Sequence, residues 1–408
     1  MIKKAMLVVF DGLGDMPIQE LGGKTPLEAA HTPNFDAIAK KSICGLSHTL
    51  GQAIRPGSDT AHLDIFGYDI NQYYSGRGPV EVAGLGMKMQ HGDVAFRGNM
   101  GTVDDEWNIL DRRAGRITDT GPFAEIIDGM EIDGIKFILK KGTGHRVGII
   151  MRGEGLSSAI SDNDPHAPDL PVMQIIPKDD SKQAKFTADV LNKFMRKSYD
   201  ILKDMPENKQ RAEEGKLPAN FILFRAGGMH LSPPDFNEKY EVRSACVAGA
   251  GMYKGVASYV GMDVIDVEGA TGLPDTNVEN KFIKAKELLN EYSFVFVHVK
   301  AADNLAEDGN WEGKKAFIEK SDIAAKQLLD LQDDTLLIVT ADHTTSCELM
   351  AHTADPVPLM FCNRFMRIDD VEEFGERAFA KGGLGYIEGH DIMSYVMNSM
   401  GKLHIVGA

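Results

Sequence analysis

Three short apolar runs, each broken by an acid, constrain this chain more than any other feature. AMLVVF (Ala5 to Phe10) stops at Asp11, FVFVHV (Phe294 to Val299) soon reaches Asp303, and TLLIVT (Thr335 to Thr340) runs to Asp342. Near-continuous β-branched and aromatic runs of this length belong to strands buried on both faces of a parallel sheet. Ligands of open α/β sheets sit beyond the carboxyl ends of the strands, so three acids far apart in sequence are expected to converge at one edge.

Helices are expected between and after these strands. Gly313 to Leu331 places Phe317, Ala324, Leu328 and Leu331 at roughly helical spacing among charged residues. Another helix is expected to start at Ser58 in GSDTAHLDIFGYD, with Ser58 as N-cap and Gly67 as stop. Asp303 and Glu307 lie one helical turn apart in VKAADNLAED.

The middle of the chain differs. It is rich in glycine, with strand-like pieces at Val147 to Met151 and Phe221 to Phe224. A long amphipathic stretch runs from Ser181 to Met205, with Phe186, Val190, Phe194 and Leu202 on its apolar face. The polar segment Pro206 to Pro218 is expected to be a surface connection. At 408 residues the chain exceeds one ordinary core. The expected organisation is one domain of residues 1–75 and 260–408, with a smaller α/β domain, 76–259, inserted into it.

A formal charge of -16 excludes non-specific binding to nucleic acid or an anionic membrane, since both demand a basic surface. The apolar run after Met1 is too short for a secretory core, and no later run reaches membrane length. The four cysteines, Cys44, Cys246, Cys347 and Cys362, have no paired spacing. Cytoplasm is the expected location.

The candidate metal ligands are Asp11, Asp303, Glu307, Asp342 and His343 in TADHTT, and His352 in MAHTADPVP. So many like charges at one edge require cations, and oxygen and imidazole donors suit manganese, magnesium or zinc. A lone Asp after a strand is more often a turn former, and a lone His more often a structural hydrogen-bonding group. Two histidines and an acid on one short connection shift that balance. Ser58, at a helix start in a glycine-containing turn, can be a plain N-cap or a nucleophile whose hydroxyl a metal ionises while the helix N-terminus favours a phosphate.

FDGLGD at Asp11, RPGSDTAHLDIFGYD at Ser58, YSGRGPVEVAGLG, GDVAFRGNMGTV, GMDVIDVEGATGLPDT and TADHTT with AHTADPVP together resemble the archaeal-type 2,3-bisphosphoglycerate-independent phosphoglycerate mutases of the alkaline phosphatase superfamily. The likeness runs nearly end to end. It implies an alkaline-phosphatase-like α/β domain with two divalent metals, manganese or magnesium before zinc or cobalt. It also implies a phosphoserine intermediate and the interconversion of 3- and 2-phosphoglycerate in glycolysis and gluconeogenesis.

By position, one metal would take Asp11, Ser58, Asp342 and His343, and the other Asp303, the residue at 307, and His352. That residue is a departure: Glu307 stands in DNLAEDG, where the family has a histidine in a DEAGHDG-like segment. Glu307 can ligate through oxygen, or point to solvent and leave the second site weak. For the substrate's phosphate and carboxylate the resemblance points to His145, Arg146 and Arg225. Asp164 would contact the glycerate hydroxyls or act as general acid/base, and Lys254 and Lys300 flank the site. A phosphatase or phosphodiesterase of the same superfamily would share the metal motifs, and a paralogue without catalysis would lack the second metal.

Overall fold

A computed structural model describes all residues except 332, 404, 406 and 408. The chain divides into two compact units, Met1–Ile70 with Pro234–Ala408, and Asn71–Pro233.

The first unit is built on an eight-stranded sheet. Its strand order is Asp263–Val264, Ser244–Val247, Phe294–Val299, Lys4–Phe10, Thr335–Ala341, Val357–Cys362, Ser42–His48 and Gly385–Glu388. All neighbours pair in parallel except around Val357–Cys362, which runs against both of its partners. The three apolar runs lie side by side, with Lys4–Phe10 in the middle and Phe10 opposite Val299 and Ala341. Nearly every residue in them is buried, so their composition reflects helices on both faces. Their carboxyl ends therefore meet, as the three acids require.

Both boundaries differ from expectation. Residues 71–75, assigned by sequence to the first domain, belong to the second unit, and residues 234–259, assigned to the insertion, belong to the first, where Ser244–Val247 pairs in parallel with Phe294–Val299. The run is only four residues long, too short to be read as a core strand against the surrounding glycines.

The second unit has an antiparallel sheet centred on Val94–Val103, which pairs with Arg146–Arg152 and Phe221–Met229. The amphipathic helix Lys182–Leu202, capped by the Ser181 hydroxyl, supplies Leu191 and Phe194 to its core, where Phe194 stacks on Phe137. Pro206–Pro218 is a largely exposed connection, as expected, and contains a helix, Pro206–Glu213. Proline at its first position fixes φ there without losing a helical hydrogen bond, and the buried Asn208 amide ties it to Leu202 O and Ala219 O. No helix among the described residues is long and apolar enough to cross a membrane.

A buried ion pair fixes the edge at which the three acids meet. Lys314, on helix Trp311–Ala325, donates to Gly14 O at 2.8 Å and Thr345 O at 2.9 Å, and meets Asp15 Oδ2 at 2.8 Å, with neither side chain exposed. The other Asp15 oxygen accepts the Cys347 N–H. The segments following two of the three strands thus share one cation. Lys314→Ala leaves the Asp15 carboxylate buried without its charge partner and is expected to cost about 3–5 kcal/mol, read as a lowered urea midpoint.

Candidate metal centre

Asp11 follows strand Lys4–Phe10 directly, and the turn beyond it must pass close to two neighbours. At Gly12 the backbone φ is +61°, and an added Cβ would lie 2.5 Å from Thr345 Oγ1 and 2.9 Å from Asp303 Cα. Only glycine lets Asp11 sit this close to the other strand ends. Helix Ala301–Glu307 begins just after strand Phe294–Val299 and presents Asp303 and Glu307 one turn apart. The hairpin Thr344–Ser346 with Ala351–Thr353 folds His352 back beside His343, their rings stacked at 3.6 Å.

Ser58 is the first residue of helix Ser58–Ile65, and the cap position falls on Gly57. The serine hydroxyl is therefore not spent on capping. It lies 3.1 Å from His343 Nε2, and Gly67, at φ +74°, follows the end of the helix as expected.

The histidine tautomers follow from their second nitrogens. Thr345 Oγ1 donates to Asp303 Oδ1 at 2.8 Å, so it can only accept from His343 Nδ1–H at 3.0 Å. That leaves a lone pair on His343 Nε2, 3.3 Å from both Asp11 Oδ1 and Asp342 Oδ2. His352 is oriented likewise by Nδ1–H to Pro56 O at 2.8 Å, which turns its Nε2 toward Asp303 Oδ1, 3.5 Å away; burial works to lower this imidazole, but Asp303 and Pro56 O raise it. This is the arrangement that prepares imidazoles for a metal.

The carboxylates are short of partners. Asp11 Oδ1 and Asp342 Oδ2 are buried and receive no hydrogen bond among the described residues. Burial works to raise the Asp11 carboxyl, but Lys300, with His298 and His343, holds it well below the usual range. Burial and then the Asp11 and Asp303 carboxylates push Asp342 well above it. Neighbouring acids driven in opposite directions are a site in need of positive charge. Burial lowers His343 to about 3, keeping its imidazole neutral and available as a ligand.

Asp11, Asp342 and His343 form one set of mutually close donor atoms, and Asp303, His343 and His352 another. Glu307 stands at the edge, its Oε1 4.0 Å from His352 Nε2 and its side chain half exposed; burial and then Asp303 raise its carboxyl. Oxygen and imidazole donors in this number fit divalent metals.

Two lysines differ from expectation. Lys300 Nζ lies 3.3 Å from Asp11 Oδ2 and 2.8 Å from Asp303 Oδ2, serving as counter-ion to the ligand carboxylates. Lys254 pairs with Asp266. Four groups escaped sequence reading: Thr345; Tyr253, whose phenol donates to Asp11 Oδ2; His298, 3.5 Å from the same oxygen; and His62, which bonds Ser58 O at 2.6 Å. A histidine inside FVFVHV was a visible signal, because a polar residue in a doubly buried strand needs a reason.

The second unit gathers cations on adjacent strands. Arg97 lies opposite Arg225, and Asn99 opposite Arg146. Burial, then Arg146, lowers the Arg97 guanidinium to about 10, and Glu81 lies 3.7 Å from it. His145, lowered to about 4 by burial and then by Arg146, is neutral there. Asp164 is not placed as a free acid. Its fully buried carboxylate is forked by Arg112 at 2.9 and 2.7 Å, and Arg225 lies 3.6 Å away. Burial works to raise it, but Arg112 outweighs burial and keeps it ionised, a carboxylate that also orients the guanidinium groups around it. Arg225 also meets His166 Nδ1 at 2.9 Å. Arg97 was missed by sequence reading; an arginine in mid-strand between Phe96 and Gly98 could have found it.

Residues 3–399 match the family model described as Metalloenzyme superfamily. The chain is 45% identical to 2,3-bisphosphoglycerate-independent phosphoglycerate mutase 1 of Methanocaldococcus jannaschii, over 99% of both proteins. Among solved structures it resembles a cofactor-independent phosphoglycerate mutase from Thermoplasma acidophilum at 36% identity and a TM-score of 0.76, covering 98% of this chain and all of that one. A protein from Pyrococcus horikoshii matches at 36% identity and a TM-score of 0.83, with both chains fully covered.

Thr345→Val removes the hydroxyl that sets the His343 tautomer while keeping the volume. It is expected to weaken divalent-metal binding about ten- to a hundredfold, with Thr345→Ser largely retaining it, in titrations of metal-free protein.

Proposed function

The chain belongs to the metalloenzyme superfamily and, within it, to the 2,3-bisphosphoglycerate-independent phosphoglycerate mutases, and from that premise we propose that it interconverts 3-phosphoglycerate and 2-phosphoglycerate through a phosphoserine at Ser58. It is accordingly an isomerase, and the reaction belongs to glycolysis and gluconeogenesis. The observation that carries the serine assignment is the Ser58 hydroxyl, uncommitted to capping and 3.1 Å from His343 Nε2, beside buried carboxylate oxygens that lack donors.

Two divalent cations, manganese or magnesium, would be held by Asp11, Ser58, Asp342 and His343 and by Asp303, Glu307 and His352; they would favour ionisation of the serine and offset the charge of the phosphoryl oxygens. The chain's own residues do the rest. Helix Ser58–Ile65 directs its first backbone N–H groups and positive dipole end at the incoming phosphate. Ser58 Oγ forms its bond to phosphorus in line with the breaking bond to the 3-oxygen of glycerate. The proton lost from Ser58 ends on the departing 3-oxygen; glycerate turns over without leaving, and its 2-hydroxyl takes the phosphoryl group back, its proton returning to Ser58 Oγ. Water must be excluded meanwhile, or the phosphoserine hydrolyses and the enzyme becomes a phosphatase.

Holding glycerate needs cations, and an acidic chain must cluster them. We assign the carboxylate and phosphate of the substrate to Arg97, Arg146 and Arg225, with neutral His145 as a hydrogen-bond donor. The Asp164 carboxylate fixes Arg112 and Arg225 in place.

An enolase-coupled assay without 2,3-bisphosphoglycerate is expected to show turnover that Ser58→Ala reduces by about a thousandfold or more. In ¹⁸O-labelled water, label should not appear in free phosphate as fast as 2-phosphoglycerate forms; the reverse would make the chain a hydrolase. Arg97→Ala and Arg225→Ala each remove a charge-assisted contact and are expected to raise KM about tenfold or more, with metal content unchanged.

A further inference from the structure

We propose that Glu307 is the residue that sets which dication the second half of the centre accepts, favouring manganese or magnesium over zinc. The inference rests on the dinuclear reading given above and adds a determinant of metal choice. Asp303 is buried and pinned by the Thr345 hydroxyl and Lys300, and His352 is pinned through Pro56 O, so neither donor can adapt much. Glu307 is different. It lies one turn beyond Asp303, its carboxylate makes no hydrogen bond among the described residues, and its Oε1 is 4.0 Å from His352 Nε2 with the side chain half exposed. It is the adjustable donor of the set.

The donor count then decides the preference. With Glu307 the centre offers four carboxylates, Asp11, Asp303, Glu307 and Asp342, against two imidazoles. Four carboxylates neutralise two dications. Oxygen-rich sites suit manganese and magnesium, which accept high coordination numbers and keep bound water, as a half-exposed ligand allows. Zinc gains more from imidazole donors in a closed, four-coordinate site. An imidazole at 307 would make the count three to three and lower the negative charge by one.

The test uses metal-free full-length protein, with Mn²⁺, Mg²⁺ and Zn²⁺ titrated against a chromophoric chelator and metal content counted per chain. Wild type is compared with Glu307→His and Glu307→Gln, half-exposed replacements whose folding is checked by circular dichroism. Wild type should bind two metals. Glu307→His should move the manganese-over-zinc ratio at the second site toward zinc by about tenfold or more, and Glu307→Gln should weaken manganese there by a similar factor. A ratio within about twofold of wild type in both variants, or one metal per chain in wild type, overturns the proposal. The coupled assay separates the two readings: wild type with the predicted metal preference but no turnover sinks the mutase and leaves the selectivity standing, and an active wild type indifferent to residue 307 does the opposite.

Discussion

One ammonium group holds the edge on which the centre is built. Lys314 joins Gly14, Asp15 and Thr345, which follow different strands of the sheet. The candidate ligands Asp11, Asp342 and His343 lie within a few residues of these anchors, and Thr345 itself orients Asp303 and His343. Buried ion pairs of this kind contribute little net stability against an apolar replacement, because both charges lose water. What Lys314 supplies is position: its three acceptors can be satisfied together in one arrangement, and that arrangement brings the strand ends into register. The surrounding carboxylates repel one another, so an edge without such a tie would open.

Around that tie the polar groups are arranged to leave selected atoms bare. Thr345 and Pro56 take the Nδ1 protons of His343 and His352, and His62 uses its own Nδ1 on Ser58 O. His62 Nε2, Asp11 Oδ1 and Asp342 Oδ2 are left with no hydrogen bond among the described residues, and His343 Nε2 meets the Ser58 hydroxyl. Unpartnered buried polar atoms are costly in a fold, and a concentration of them at one sheet edge marks where stability has been given up for chemistry. Lys300, between Asp11 and Asp303, offsets part of that cost.

The sequence was most legible where burial is uniform. AMLVVF, FVFVHV and TLLIVT read as core strands because both faces are covered, and the acids after them read as ligands because parallel strands end at a common edge. Legibility failed where a residue acts through a partner distant in the chain. Nothing in TADHTT distinguishes Thr345 from a turn residue, and Tyr253 reaches Asp11 across 242 residues of sequence. An isolated SDNDPH likewise does not reveal that Arg112 reaches both carboxylate oxygens of Asp164. The short strand Ser244–Val247 carried too few residues to show a period, so nothing in the sequence marked the return of the chain to the first unit at Pro234.

The central place of strand Lys4–Phe10 has a consequence for how the chain comes into being. Its two neighbours are Phe294–Val299 and Thr335–Ala341, so the first strand made is completed by segments made near the end. At ordinary translation rates the wait is on the order of ten seconds or more, with AMLVVF unpaired and the second unit, which has a core of its own, already able to fold. A sheet assembled from such remote segments forms slowly, because loop closure precedes any reward from contact. The topology that gathers three acids at one edge thus also leaves the nascent chain with an adhesive apolar strand until its partners are made.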